Sequence, residues 1–183
     1  PGIVGVSSGA GLAGVMMLIF MPEASLLLTP VAFIGAMLSA AAVYALAWKN
    51  GIRPSRIILA GVAVSAFLGS GISALLVFYS DKVQGALLWM VGGLSARSWP
   101  QVESLFPYTI LGLVFAICGC KALTILSLGD ETARGLGLPV EKVRFTMTAV
   151  AALLAAGAVS IAGLIGFVGL VVPHIVRLIV GTD

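Results

Sequence analysis

Three sets of residues in this 183-residue chain have types and spacings that could do chemistry. The first is Gly5-Val-Ser7-Ser8-Gly9, which matches the G-x-S-x-G spacing of a serine nucleophile elbow, with His174 as a distant base. An elbow needs a strand before its serine and an acid to orient its base. No strand pattern precedes Ser7 and no acid is placed within a span to orient His174, so no catalytic residue is expected. The second set is Cys118 and Cys120, two apart in an apolar run. On a helix they point to different sides, so they read as packing residues and no metal site is expected. The third is the polar island Ser127 to Arg144, set between long apolar runs. It offers caps, charges and turns, the chemistry of docking and not of bond making.

Within the island, Ser127-Leu-Gly-Asp130 has capping-box spacing, which starts a short helix with Asp130 and Glu131 near its positive end. Arg134 falls near the opposite end. Gly135 and Gly137 can supply the left-handed turn that stops this helix, and Pro139 can open a second one over Val140 to Arg144. The expectation is two very short helices joined by a glycine turn. Such a unit is too short to be stable alone in water, so other elements must hold it. It reads either as a solvated loop with good caps or as a rigid docking surface through which a soluble motor could push on a membrane protein.

The elements that must position these residues are set by composition. Charged residues are 9% of the chain and hydrophobic ones 60%, with a mean hydropathy of +1.17. A soluble domain carries about 25% charged residues, so this is an integral membrane protein, an all-α polytopic transmembrane helix bundle of about five to six segments. The net charge of +3 comes mainly from loops at one membrane face, which signals topology and excludes nucleic acid as the natural partner. All seven acids lie outside the confident spans, which argues against a proton- or sodium-coupled carrier. No G-x-x-x-x-G-K-[ST] occurs, so any ATP must be hydrolysed on another chain.

Six membrane segments are expected, over 2–21, 26–47, 57–78, 105–128, 145–163 and 167–181. The first carries five glycines, which predicts a broken or tightly packed helix. It lacks a basic n-region and so reads as a membrane segment and not a signal peptide. Glu23 follows it outside, while Lys49, Arg53 and Arg56 place the next loop in the cytoplasm. In the third span Gly61, Ser65, Gly69 and Ser73 recur every four residues, a stripe that lets another backbone approach or that lines a pathway. The external stretch that follows contains an interfacial helix over 82–94. Its apolar face is Val83, Leu87, Met90 and Leu94, with Trp89 beside it. Lys121 marks the inner end of the fourth span. The uncharged run 145–173 is longer than a ~30 Å hydrocarbon core requires, so a break is expected at Gly163, Gly166 and Gly169. Beyond it, His174 and Arg177 share one helix face. The start at Pro1 and the abrupt stop at Gly181-Thr-Asp183 read as an internal fragment.

Gly5-Val-Ser-Ser-Gly-Ala10, Leu59-Ala-Gly-Val62, Trp89-Met-Val-Gly-Gly93, Leu128-Gly-Asp-Glu-Thr-Ala-Arg-Gly-Leu-Gly137 and Gly166-Phe-Val-Gly-Leu-Val-Val-Pro-His-Ile-Val-Arg177 occur in order. Together they closely resemble the FecCD-type permeases of bacterial ABC importers for ferric siderophores, haem and cobalamin. The resemblance implies a permease subunit of the bacterial inner membrane that moves substrate by ATP-driven alternating access. It further implies a second permease subunit, as a homo- or heterodimer, and two ATPase subunits that carry the ATP and Mg. A periplasmic or lipid-anchored binding protein would deliver substrate.

Ser127, Gly129, Asp130, Glu131, Arg134, Gly135 and Gly137 would belong to the cytoplasmic coupling region seated in the ATPase cleft. Gly61, Ser65, Gly69 and Ser73 would lie near the pathway and dimer axis, and Trp89, Gly92 and Gly93 at the external mouth. Gly166, Gly169, Pro173, His174 and Arg177 would be conformational or interface positions. Substitution of Asp130, Arg134 or Gly135 is expected to uncouple transport from ATP hydrolysis. The alternative is a secondary carrier or channel that needs no ATPase.

Overall fold

Long apolar runs become helices here because a helix pairs its backbone groups within one segment, which lipid demands. The computed structural model describes residues 5–48, 54–94, 99–164 and 168–181. Its helices are α1 (Val6–Phe20), α2 (Leu28–Ala47), α3 (Pro54–Phe78), α4 (Val83–Val91), α5 (Trp99–Ser127), α6 (Asp130–Gly135), α7 (Val140–Ala162) and α8 (Val168–Val180). A 3₁₀ stretch, Pro22–Leu27, kinks at Ala24 before α2, and a 3₁₀ turn, Ser80–Lys82, precedes α4. No strand occurs among the described residues.

Four of these helices, α2, α3, α5 and α7, are long and apolar enough to cross a membrane. By contrast α1 has 15 residues and α8 has 13, about 22 Å and about 20 Å of helix, short of the ~30 Å core. The expected first and last spans are therefore shorter than a full crossing within the described residues. The fourth is longer than expected, because α5 starts at Trp99 and takes Pro107 into its interior. Of the basic loop residues used to orient the chain, Lys49 and Arg53 lie outside the described residues.

The short helix α1 is the hub, packed against α2, α3, α4 and α7. Its approach to α2 is backbone on backbone: a methyl group at Gly9 would lie 2.4 Å from the Gly35 carbonyl oxygen, and one at Gly35 would lie 2.4 Å from Ala13 Cβ. Ser39 donates its hydroxyl to the Gly5 carbonyl across the same seam. Small residues therefore set this crossing, as is usual where lipid removes the hydrophobic drive between helices. Around it Val6, Ala10, Ala32, Ala36, Trp89, Ala152, Ala156 and Val159 form one buried cluster. Side chains of α5 such as Phe106, Phe115 and Ile117 point outward, where lipid is the matching solvent.

Candidate functional site

The polar island folds as a hairpin between α5 and α7. The helix α5 stays regular through Ser127, whose hydroxyl turns back to donate to the Thr124 carbonyl at 2.7 Å. The expected capping box is thus not formed. Gly129, with φ 103, makes the turn and is the N-cap of α6, with no side-chain cap. The second expected short helix is not separate either, because Val140 to Arg144 are the first turns of the 23-residue α7, entered from Pro139. An apolar run directly after Arg144 lets that helix propagate without a new nucleus.

The helix α6 ends in a Schellman motif. Leu138 N–H donates to the Ala133 carbonyl and Gly137 N–H to the Arg134 carbonyl, both at 3.0 Å. The left-handed residue is Gly137, φ 81, while Gly135 is the last helical residue. That turn folds α6 back toward α7, and Ala133 and Val140 on either side of it are buried. Two ion pairs bridge the same turn. Arg144 grips Asp130 with both nitrogens, Nη2 to Oδ1 at 2.7 Å and Nη1 to Oδ2 at 3.3 Å, and its side chain is only 12% exposed. Arg134 meets Glu141 at 3.3 Å with both side chains well exposed. One residue beyond Arg144, the Phe145 ring packs edge-on against Tyr44 of α2 with centroids 4.9 Å apart. The hairpin is thereby fixed to the bundle. Its free side carries Glu131, Thr132, Arg134 and the apolar Leu136, all exposed.

The structure brings Ser127, Gly129, Asp130, Glu131, Arg134, Gly135 and Gly137 together at this one end. At the other end of α7 stands α4, whose buried face is Val83, Ala86 and Trp89, while Leu87 and Leu94 are exposed. Trp89 is therefore part of the packed face and not a residue beside it, and Met90 of the expected face packs inward with it. Its indole lies over α1, where a methyl group at Gly14 would come within 2.7 Å of the ring. Gly93 N–H donates to the Ala162 carbonyl at 2.7 Å. Gly163, φ 78, closes α7 against the Trp89 carbonyl, which a methyl group there would meet at 2.3 Å. The expected break after the fifth span falls at Gly163.

The stripe on α3 divides. Gly61 is buried and Ser65 is half-buried, its Oγ 3.5 Å from where a methyl group at Gly5 would lie, but a methyl group at Gly69 would meet nothing within 4 Å and Ser73 is exposed. Ile72 of the same helix is what packs on α1, at Gly11. The upper stripe therefore presents an open face. Gly166 lies outside the described residues, Gly169 is in the first turn of α8, and Pro173, His174 and Arg177 are exposed along it.

Sequence reasoning missed Arg144 as a site residue and missed the pairing of Trp89 with Gly14 and Gly163. A signal for the first was present: Asp130 and Glu141 face Arg144 and Arg134 across Gly137 at nearly mirrored separations. The second carried no such signal, because glycine partners have no side-chain pattern to match.

Residues 1–183 match the FecCD transport family. The chain is 40% identical to the cobalamin import system permease protein BtuC of Halobacterium salinarum, covering 100% of this chain and 50% of that protein. It is 36% identical to the Fe(3+)-citrate import system permease protein YfmE of Bacillus subtilis, covering 99% and 55%. Against the hemin transport system permease protein HmuU of Yersinia pestis the identity is 34%, with 100% and 57% covered. The chain thus spans about half the length of the curated relatives it matches. A solved inward-facing structure, described as a metal-chelate type ABC transporter, superposes with a TM-score of 0.86 at 25% identity over 99% of this chain and 58% of that one.

Proposed function

The chain belongs to the FecCD transport family, and from that premise we propose that it is part of a permease subunit of a binding-protein-dependent ABC importer. The observation that carries this reading is the family match over residues 1–183. The cargo class is an iron chelate, either ferric siderophore or haem, or cobalamin. Relatives named for cobalamin, ferric citrate and hemin are 40%, 36% and 34% identical to this chain, too narrow a spread to select a cargo.

In this reading the bundle is a multi-pass protein of the bacterial cytoplasmic membrane, and its work is conformational. The α6 hairpin is the cytoplasmic coupling element. Glu131, Thr132, Arg134 and Leu136 meet a partner ATPase, which alone binds ATP and Mg. The open Gly69–Ser73 face of α3 lies toward the pathway or the second permease subunit, and α4 lies at the external mouth, where a binding protein would release substrate.

Proteoliposomes holding the full-length permease, its ATPase and its binding protein test the reading, with a labelled ferric siderophore, haemin and cobalamin each offered in turn. ATP-dependent uptake of one of them is expected, and uptake per ATP hydrolysed should fall on substitution of Asp130, Arg134 or Gly135. Uptake driven by an ion gradient with no ATPase present would overturn the assignment and favour a secondary carrier.

A further inference from the structure

We propose that Arg144 is a positioning residue that makes α6 and α7 one mechanical body, so that a displacement imposed on α6 reaches α4 through α7. The proposal rests on the importer reading above. A six-residue helix cannot hold its own orientation, so what matters is which neighbour it is tied to. Toward α5 the tie runs through backbone: Leu128 N–H donates to the Ile125 carbonyl and Gly129 N–H to the Leu126 carbonyl, both at 3.2 Å, while Gly129 carries no side chain and the Ser127 hydroxyl bonds back into α5. Toward α7 a side-chain clamp is added. Arg144 holds Asp130 through two parallel bonds and is nearly buried. A planar guanidinium on a carboxylate fixes relative orientation as well as distance, which an ammonium cannot do.

The far end of α7 is equally committed. The Ala162 carbonyl accepts from Gly93, and Gly163 sits against the Trp89 carbonyl with no room for a methyl group. The two attachments terminate one 23-residue helix, about 34 Å long at 1.5 Å per residue. The structure thus joins α6 to α4 through close contacts, and the Arg144–Asp130 pair is an ionic joint in that line whose arginine is nearly buried.

The test uses the full-length permease assembled with its ATPase, with Cys118 and Cys120 replaced by serine and spin labels placed at Gln84→Cys on α4 and Val102→Cys on α5. Trapping with ATP, Mg and vanadate is expected to shift the label-to-label distance in the otherwise unaltered protein. Arg144→Ala should lose that shift while ATP hydrolysis continues, Arg144→Lys should keep only part of it, and the exchange Asp130→Arg with Arg144→Asp should restore it. A full shift in Arg144→Ala overturns the proposal. If that variant fails to assemble, Arg144→Lys decides, and an undiminished shift there overturns it as well. No shift in the unaltered protein while it shows ATP-dependent uptake overturns the proposal too, whereas absence of ATP-dependent uptake sinks the reading on which the proposal stands.

Discussion

The two ends of α7 are secured by opposite means. At the α6 end the joint is ionic, Arg144 on Asp130 with Arg134 on Glu141 outside it. At the α4 end it is backbone on backbone, with Gly163 beneath Trp89 and Gly93 bonded to Ala162. The difference follows from solvent. Near water, a charge pair adds directed attraction at little desolvation cost, and a half-buried one resists screening. Deeper in the bundle the attraction comes from close packing, which requires residues without side chains. One joint is therefore tunable by charge and the other only by volume.

The comparison breaks most sharply at the volume end. Gly163→Val places a β-branched side chain at φ 78 and into the Trp89 carbonyl, and is expected to destabilise by about 3–5 kcal/mol, read as a lowered thermal unfolding midpoint in detergent. Gly14→Ala pushes on the Trp89 ring and should lose about 1–3 kcal/mol. With Trp48 and Trp99 replaced by phenylalanine, the same change should move the remaining tryptophan emission to the red. At the charge end Arg144→Ala is expected to lose about 2 kcal/mol, between the values for exposed and buried pairs because Asp130 is 44% exposed. Arg134→Ala should lose less than about 1 kcal/mol, and the loss should vanish in 1 M salt, where the Debye length is about 3 Å. Any uncoupling by Arg134→Ala then belongs to the docking surface and not to the hairpin's stability. Equal salt sensitivity of Arg134→Ala and Gly163→Val would refute the contrast.

What was legible in the sequence was what apolar runs and turn residues encode. Helices spanning 28–47, 54–78, 99–127 and 140–162 stand close to the expected segments, because lipid leaves an uncharged run little other choice. The island was also visible, with Gly137 among the candidates for the turn. Its capping box was not realised, since Ser127 was claimed by the helix before it. Local spacing cannot say which of two helices a boundary residue will join. The apolar face assigned to α4 was right at Val83 and Met90, which pack inward, and erred at Leu87 and Leu94 for a related reason. Leu87 and Leu94 are as hydrophobic as Trp89, and only the groove at Gly14 decides which is taken in. The Gly9–Gly35 seam of α1 and α2 lay in plain view as glycines at small-residue spacing, but a glycine names no partner.

The near-mirror placement of charge about Gly137 bears on what this hairpin can tolerate over evolutionary time. Asp130 and Arg144 lie seven residues to either side of that glycine, and Arg134 and Glu141 three and four. Exchanging the signs within the Asp130–Arg144 pair keeps its attraction, so the clamp by itself asks for covariation and not for a fixed order of charge. Inserting or deleting one residue between Gly135 and Val140 would throw both pairs out of step together. The clamp is permissive in sign and the hairpin strict in length, and gaps in related sequences should avoid this stretch even where the clamp's charges have been traded.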